Sequence, residues 1–190
     1  MNDARAEAYA DHWFNGKPED EKIYIMLGEG VGGAYINASA IRNGVHNRGG
    51  EFGHMVIHPG GKQCLCGKKG CFEAYVSEKV LSSELDMTLD NFFELAAQGN
   101  KNNSNVLDEY MDNLALGINN IYTMMDCDIV LGGTVAPYLK QYDNSIKERL
   151  VNDYSFDTDA DYLKISDDGG GKSGLGAALS FVARFIDGVE

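Results

Sequence analysis

Apolar residues recur at helical spacing over the longest patterned stretch of the chain, residues 106–125. The apolar and aromatic positions that share one face there are Leu107, Tyr110, Met111, Leu114, Ile118, Ile121, Tyr122 and Met125. A stripe with this period is typical of an amphipathic helix that packs on a core. We therefore predict one long helix, whose methionine and aromatic side chains serve packing and not ligand binding.

The first stretch of the chain is also predicted to be helical. Alanines stand at positions 4, 6, 8 and 10, and Asn2 or Asp3 can cap the backbone amides of the first turn. We expect Trp13 and Phe14 to anchor the end of this helix in the core. Further helices are predicted at residues 75–85, 89–97, 137–150 and 174–186.

Short apolar runs between these helices predict strands at residues 23–27, 34–37, 128–131 and 162–166. The first two runs flank the sequence GEGVGG, which predicts a β-hairpin with a glycine-rich tip. The third run is followed by a Gly-Gly-Thr turn and then by a helix. Strands that alternate with helices in this way predict an α/β fold.

The charge and hydropathy of the chain exclude two classes of partner. The 190 residues carry a formal net charge of -13, whereas nucleic acids are bound by basic faces, so we expect no nucleic-acid partner. No apolar run is long enough to cross a membrane, which takes about 18 residues. The N-terminal sequence MNDARAEAYADHW lacks the basic and apolar regions of a signal peptide, so we expect a cytoplasmic protein.

Three of the four cysteines, Cys64, Cys66 and Cys71, are concentrated in the glycine-rich sequence CLCGKKGC, and His54 lies upstream of them. One histidine and three thiols form a closed Cys₃His set that is typical of a structural zinc ion. The alternatives are a disulfide between two of these cysteines, or cysteines without a role. Reduced thiols are favoured because the acidic chain without a signal peptide has the features of a cytosolic protein.

The segment from residue 51 to residue 73 resembles the signature of the ROK family, which contains bacterial sugar kinases and sugar-responsive repressors. Its Glu-x-x-His part is matched by Glu51 and His54, and its Cys-x-Cys-Gly-x-x-Gly-Cys-x-Glu part by Cys64, Cys66, Gly67, Gly70, Cys71 and Glu73. The resemblance implies that His54, Cys64, Cys66 and Cys71 hold zinc. It also implies that Glu51, His54 and Glu73 face a sugar. An ionised carboxylate can accept hydrogen bonds from the hydroxyls of a sugar.

The start of the first helix gains a second interpretation from the same family. On the sequence alone, Asp3 is an N-cap candidate. ROK kinases open this helix with Asn-Asp-Ala, and Asn2, Asp3 and Ala4 match that segment. The resemblance implies that Asp3 is the catalytic base, which deprotonates the sugar hydroxyl that attacks the phosphate, and that Asn2 binds the sugar.

The resemblance also implies two nucleotide-binding segments. One is the hairpin tip, where Gly28, Gly30, Gly32 and Gly33 would cradle the phosphates of ATP. The other is the turn with Gly132 and Gly133, which would pack near the adenosine. Glu29 stands where the family has a hydroxyl residue, and a carboxylate there should repel a triphosphate.

Over residues 1–190 the resemblance implies the C-terminal lobe of an actin-like ATPase (ribonuclease H-like) fold, with a zinc knuckle. The family's N-terminal lobe carries an Asp-x-Gly-Gly-Thr phosphate loop that this sequence does not contain, so we expect that lobe to be absent. The implied function is the sugar-binding lobe of an ATP-dependent sugar kinase that acts on a hexose or an N-acetylhexosamine. We expect the lobe to be inactive without its N-terminal counterpart.

Two other functions stay open at this point. A sugar-sensing effector module of a ROK-type transcriptional regulator would bind sugar without catalysis, and a scaffold or dimerisation remnant would do neither. The expected cofactors are structural zinc, with ATP and Mg²⁺ only if kinase activity is retained. The expected partners are a small-molecule sugar and further copies of the chain in a homo-oligomer, without a membrane.

Overall fold

The computed structural model describes residues 2–17, 19–38, 40–154 and 157–187. The α-helices within them are α1 Asp3–Asn15, α2 Glu73–Val76, α3 Glu78–Leu81, α4 Leu89–Ala97, α5 Lys101–Met125, α6 Ala136–Leu139, α7 Asp143–Arg149 and α8 Ser173–Asp187. The strands are β1 Glu21–Leu27, β2 Val31–Asn37, β3 Ala40–Ile41, β4 Asp128–Gly132 and β5 Leu163–Ile165. No helix in these ranges is both long enough and apolar enough to cross a membrane.

The strands form one five-stranded mixed sheet in the order β3-β2-β1-β4-β5. β1 and β2 pair antiparallel as a hairpin whose last matched residues are Leu27 and Val31. β1 and β4 pair in parallel, with Met26 opposite Gly132. Because parallel strands end at the same edge of a sheet, this pairing brings the hairpin tip beside the turn that follows β4.

The two faces of the sheet are covered by different layers. On one face Ile23, Ile25 and Leu27 are fully buried in the main core, which also contains the apolar stripe of α5. On the other face Tyr24 is buried in a small cluster with Ala8 of α1. Side chains alternate across a strand, so β1 serves both layers, and the alanines of α1 let this helix lie close to the sheet.

The other close neighbour of α1 is α8. Gly176 of α8 lies so near the backbone of Ala6 and Ala10 that a methyl group at this glycine would overlap it. The prediction that Trp13 and Phe14 anchor α1 in the core is wrong, because their exposed fractions are 43% and 59%. The alanines of α1 pack against the sheet and α8, whereas Trp13 and Phe14 lie at the exposed end of the helix.

Three predicted helices differ in their bounds. The helix predicted at 75–85 is broken at Ser77, which is extended at φ -72° and ψ 157°. The helix predicted at 137–150 is divided into α6, a 3₁₀ turn at Lys140–Tyr142, and α7. α5 begins at Lys101 and not at residue 106, because the side chain of Asn100 accepts the backbone N–H groups of Asn102 and Asn103.

Gly176→Ala should lower the free energy of unfolding by about 1–3 kcal/mol, because the added methyl group would push α8 away from α1. Gly174→Ala is the matched control in the same helix, since a methyl group there meets no atom within 4 Å. The control should be neutral or slightly stabilising, because alanine favours helix over glycine. Chemical denaturation of both variants measures the difference, and equal losses of stability would contradict the close α1–α8 packing.

Candidate functional site

The cysteine loop, residues 53–72, folds back on itself through two backbone positions that require glycine. Gly67 and Gly70 have φ angles of +87° and +84°, which side chains other than glycine rarely adopt. Gly70 also lies against the carbonyl of His58, where a methyl group would overlap. The N–H of Cys64 donates to the Lys68 carbonyl at 2.9 Å, which closes the turn between the sulfurs.

This turn brings the four predicted metal ligands together. The ligand atoms of His54, Cys64, Cys66 and Cys71 all lie within 4.8 Å of one another. The Cys66 and Cys71 sulfurs are 3.6 Å apart, and the Cys64 sulfur is 3.9 Å from Nδ1 of His54. In a tetrahedral zinc site with ordinary bond lengths, the corresponding separations are about 3.8 and 3.6 Å. Within the described residues all four cysteines are unpaired thiols, so the alternative of a disulfide is not found.

The three thiols of the cluster differ in their acidity. Burial raises the pKa of the Cys64 thiol to about 12 and also raises the pKa of Cys71. The pKa of the exposed Cys66 is lowered, chiefly by a hydrogen bond from the Lys68 backbone. A metal ion binds thiolates, so metal binding at this cluster must release the protons of the two buried thiols.

The N-terminus of α1 lies against β2. A methyl group at Gly32 would come within 2.6 Å of Cβ of Ala4. Of the two cap candidates, Asn2 caps the helix, since its side-chain oxygen accepts the N–H of Arg5 at 3.0 Å. Asp3 is exposed, and its carboxylate accepts the N–H of Ala4 at 2.9 Å. The predicted base thus stands at the surface beside the hairpin.

Arg5 ties α1 to the loop before Glu51, and sequence reasoning missed it. Its Nη2 donates to the carbonyls of Asn47 and Gly49 at 2.9 and 2.7 Å. Arg5 is only 8% exposed, although a charged residue within a run of alanines is expected at the surface. The clamp holds the segment that leads into Glu51 next to the N-terminus of α1.

The predicted sugar ligands Glu51 and Glu73 lie near β2. Glu51 is exposed, and the segment that follows it packs on β2, where the ring of Phe52 lies against Gly33. Glu73 is half-buried, and its Oε2 accepts the backbone N–H of Val31 at 3.0 Å. Its other oxygen, Oε1, lies 3.6 Å from the Cys64 sulfur. Glu73 therefore stands between the cysteine loop and the hairpin.

The glycines predicted to bind a nucleotide fall into two groups. Gly28 and Gly30 form the hairpin tip together with Glu29, whose side chain is exposed. Gly133, at φ +85°, packs against the backbone of Leu27, and its neighbour Gly132 is packed against the ring of Tyr24. Gly32 and Gly33 lie within β2, where close packing against Ala4 and Phe52 by itself requires glycine.

An open cavity of about 610 Å³ lies beside the turn that follows β4. Its lining includes Glu78, Met87, Thr134 and Tyr138. Thr134 Oγ1 donates to a carboxylate oxygen of Glu78 at 2.5 Å, and the N–H of Glu78 donates to the carbonyl of Gly28 at 2.7 Å. These bonds join the cavity wall to the base of the hairpin tip, so the two predicted nucleotide segments are neighbours.

Glu7 is a second residue that sequence reasoning missed. It is buried, and its Oε1 accepts the N–H of Gly171 at 2.8 Å. Burial raises the pKa of this carboxyl, and its Oε2 has no hydrogen-bond partner among the described residues. The contact fixes the loop before α8 to α1.

The chain is similar to known proteins over most of its length. The family model described as ROK family matches residues 1–183. A xylose repressor of Bacillus subtilis (strain 168) is 32% identical over 136 residues, which are 68% of this chain and 35% of the repressor. A glucokinase of Thermotoga maritima is 26% identical over 173 residues, which are 80% of this chain and 55% of the kinase.

Solved structures of ROK proteins are similar to this chain in fold. A ROK family glucokinase from Streptomyces griseus, solved in complex with glucose and AMPPNP, superposes with a TM-score of 0.78 at 25% identity. The match covers 95% of this chain and 66% of that one. The predicted α/β fold, similar to that of the ROK actin-like sugar kinases, is therefore confirmed, and the structure shows that its sheet is mixed.

Proposed function

This chain belongs to the ROK family, and from that premise we propose that it is the sugar-binding lobe of an ATP-dependent sugar kinase. The observation that carries the proposal is the convergence on β2 of three separate segments. They are the N-terminus of α1 with Asp3, the segment of Glu51 and His54, and Glu73 with its bond to Val31. An exposed carboxylate beside a glycine-rich hairpin is the arrangement that phosphoryl transfer to a hydroxyl needs.

Each of the site residues has a role in this proposal. Asp3 accepts the proton of the attacking hydroxyl, and Asn2, Glu51, His54 and Glu73 bind the other hydroxyls of a hexose or N-acetylhexosamine. Asp3 is exposed, and the hydrogen bond that its carboxylate accepts from the N–H of Ala4 is local, which leaves carboxylate lone pairs for a substrate. The carboxylates and the imidazole thus hold the sugar while the base acts on one hydroxyl.

The nucleotide would bind along the hairpin tip and the turn after β4. The tip with Gly28 and Gly30 presents backbone to the phosphates, and the cavity of about 610 Å³ beside Gly133 has room for a nucleoside. Tyr138 and Met87 supply apolar surface there, and Thr134 and Glu78 supply polar atoms. Mg²⁺ would accompany the triphosphate, because phosphoryl transfer requires its charge to be neutralised.

The cluster of His54, Cys64, Cys66 and Cys71 would hold one structural zinc ion. The donor set and the sulfur separations fit a closed tetrahedral site, which leaves no position for a reacting water. The ion would fix the loop that carries His54 and leads into Glu73, so its contribution is to position sugar ligands. No catalytic step is assigned to it.

Full activity would need more chain than these 190 residues. The chain spans 55% of the Thermotoga maritima glucokinase and 66% of the Streptomyces griseus structure. Phosphoryl transfer depends on charged groups placed around the transferred phosphate, and a segment equivalent to the remainder of those kinases would supply the opposite wall. We therefore expect little phosphorylation by the chain alone.

A sugar-sensing module of a ROK-type regulator is the second candidate function. The observation that favours it is Glu29, an exposed carboxylate at the hairpin tip, together with 32% identity to a xylose repressor. A negative charge at the tip weakens the attraction of phosphates, whereas a sensor has no need of ATP. The same sugar ligands would serve this function without Asp3 acting as a base.

Asp3→Asn should abolish phosphorylation with little effect on sugar binding. The assay uses this chain fused to the part of the Thermotoga maritima glucokinase that lies outside the matched region, with ATP and a panel of hexoses and N-acetylhexosamines. We expect the rate to fall about 10²–10⁴-fold, because removal of a general base costs that much. If calorimetry detects sugar binding to the fused wild-type protein but no sugar is phosphorylated, the regulator is supported instead. Equal rates of phosphorylation by the wild type and Asp3→Asn would exclude Asp3 as the base.

Zinc should copurify at about one ion per chain when no chelator is used. Cys66→Ser should lose the ion and lower the Tm by about 5–10 °C, because metal binding is coupled to the folding of the loop. Cys127→Ser is the control, since this thiol lies outside the cluster. Elemental analysis and thermal unfolding measure both effects. A metal content that is the same in both variants would contradict the assigned ligands.

Glu29→Thr should strengthen the binding of AMPPNP about fivefold in the fused protein. Two unit charges about 4 Å apart at an exposed position repel by about 1 kcal/mol, which corresponds to that factor. Glu19→Thr removes the same charge at an exposed position before β1, at the opposite end of this strand from the hairpin tip. Titrations at low and high salt compare the two variants, and equal affinities at low salt would show that the charge at the tip does not matter.

A further inference from the structure

Glu73 makes a contact that sugar binding does not explain. Its Oε2 accepts the N–H of Val31, the first residue of β2, at 3.0 Å. The neighbouring Gly30 leaves room for this approach, since a methyl group there would come within 3.0 Å of the same oxygen. The carboxylate is therefore bound to the backbone of the hairpin, immediately after its glycine-rich tip.

Both ends of the cysteine loop hold Val31. At one end, Gly53 next to His54 lies so close to the carbonyl of Val31 that a methyl group would overlap it. At the other end, Glu73 follows Cys71 closely in the chain and takes the N–H of Val31. The donor and the acceptor group of one backbone residue are thus enclosed by the segment that carries the metal ligands.

We propose that Glu73 is a positioning residue for the hairpin tip, which it holds through the N–H of Val31 and so couples the cysteine loop to the site of nucleotide binding. The consequence for binding rests on the proposed function, in which Glu73 also contacts the sugar and the tip contacts ATP. One side chain then joins the two substrate sites, with one oxygen on the hairpin and the other on the side of the cysteine loop.

A second hydrogen bond in the same region also connects the hairpin tip to the segment that follows the cysteine loop. α2 begins at Glu73, and α3 follows with Glu78, whose N–H donates to the carbonyl of Gly28 at 2.7 Å. The hairpin tip is therefore held on both sides by the short helices that follow the cysteine loop. A displacement of this loop would be transmitted to Gly28 and Val31 by bonds of ordinary length.

Amide hydrogen exchange of Val31 in the zinc-loaded chain tests the proposal directly. Glu73→Ala should raise the exchange rate of this amide at least about tenfold, because an amide without its acceptor opens more readily. Glu73→Gln should restore the protection, since the amide oxygen of glutamine also accepts a hydrogen bond. Glu51→Ala is the matched control, because it removes a predicted sugar ligand that makes no side-chain bond to the hairpin among the described residues.

Ligand binding separates the positioning role from sugar contact. AMPPNP affinity, measured in the absence of sugar on the fused protein, should fall several-fold in Glu73→Ala and recover in Glu73→Gln. Sugar affinity should stay low in both, because glutamine lacks the ionised oxygens. A side chain that only binds sugar would leave the AMPPNP affinity unchanged in all three proteins, which would overturn the proposal.

Gly30→Ala covers the case in which Glu73→Ala fails to fold. The added methyl group would press on Oε2 of Glu73 without touching a metal ligand, so Val31 should exchange faster at unchanged zinc content. A wild-type exchange rate at Val31 in Glu73→Ala, or in Gly30→Ala where Glu73→Ala does not fold, would overturn the proposal. The exchange measurement decides the proposal even if the chain binds no nucleotide. Faster exchange at Val31 in the variants, together with no binding of AMPPNP, would count against the kinase function alone.

Discussion

Close approach to a single strand, β2, is the constraint on which the candidate site depends. Gly32 admits Ala4 and so places the N-terminus of α1, and Gly33 admits the ring of Phe52 and so places the segment of Glu51 and His54. A methyl group at either glycine would come within 2.6 Å of Ala4 or Phe52, so the neighbouring segment would have to move away from β2. The site is therefore assembled around two glycine positions of one strand, and its polar groups come from the segments around that strand.

The order of the cysteine loop depends on a different interaction. Between Ile57 and Cys71 nearly every residue is exposed, so the loop buries too little apolar surface to be ordered by packing alone. In the proposed zinc site, the four candidate ligands within 4.8 Å of one another would provide the missing stabilisation once an ion is bound. The ordered loop then fixes Glu73 and, through it, the first residue of β2. Under this proposal, metal binding and the geometry of the hairpin belong to one structural unit.

Short-range patterns in the sequence predicted much of this architecture. The hairpin around GEGVGG, the long helix with its apolar stripe, and the gathering of His54 with three cysteines were all readable, because glycine, helical period and ligand type act locally. The exposure of Trp13 and Phe14 and the breaks at Ser77 and near Lys140 were not readable, since tertiary packing decides them. Arg5, Glu7 and the bond from Val31 to Glu73 were missed for the same reason, as each joins positions far apart in the chain.

Mapping of sugar binding by amide chemical shifts tests the central claim most directly, and a chain of 20.7 kDa is suitable for it. Glucose and an N-acetylhexosamine are titrated into the zinc-loaded, ¹⁵N-labelled protein. Shifts should concentrate at Asp3, Ala4, Val31, His54 and Glu73, the residues gathered around β2. Shifts confined to the separate cavity of about 460 Å³ lined by Asp11, Asp128 and Asp168 would contradict the account, because that cavity lies beside Lys22 near the start of β1.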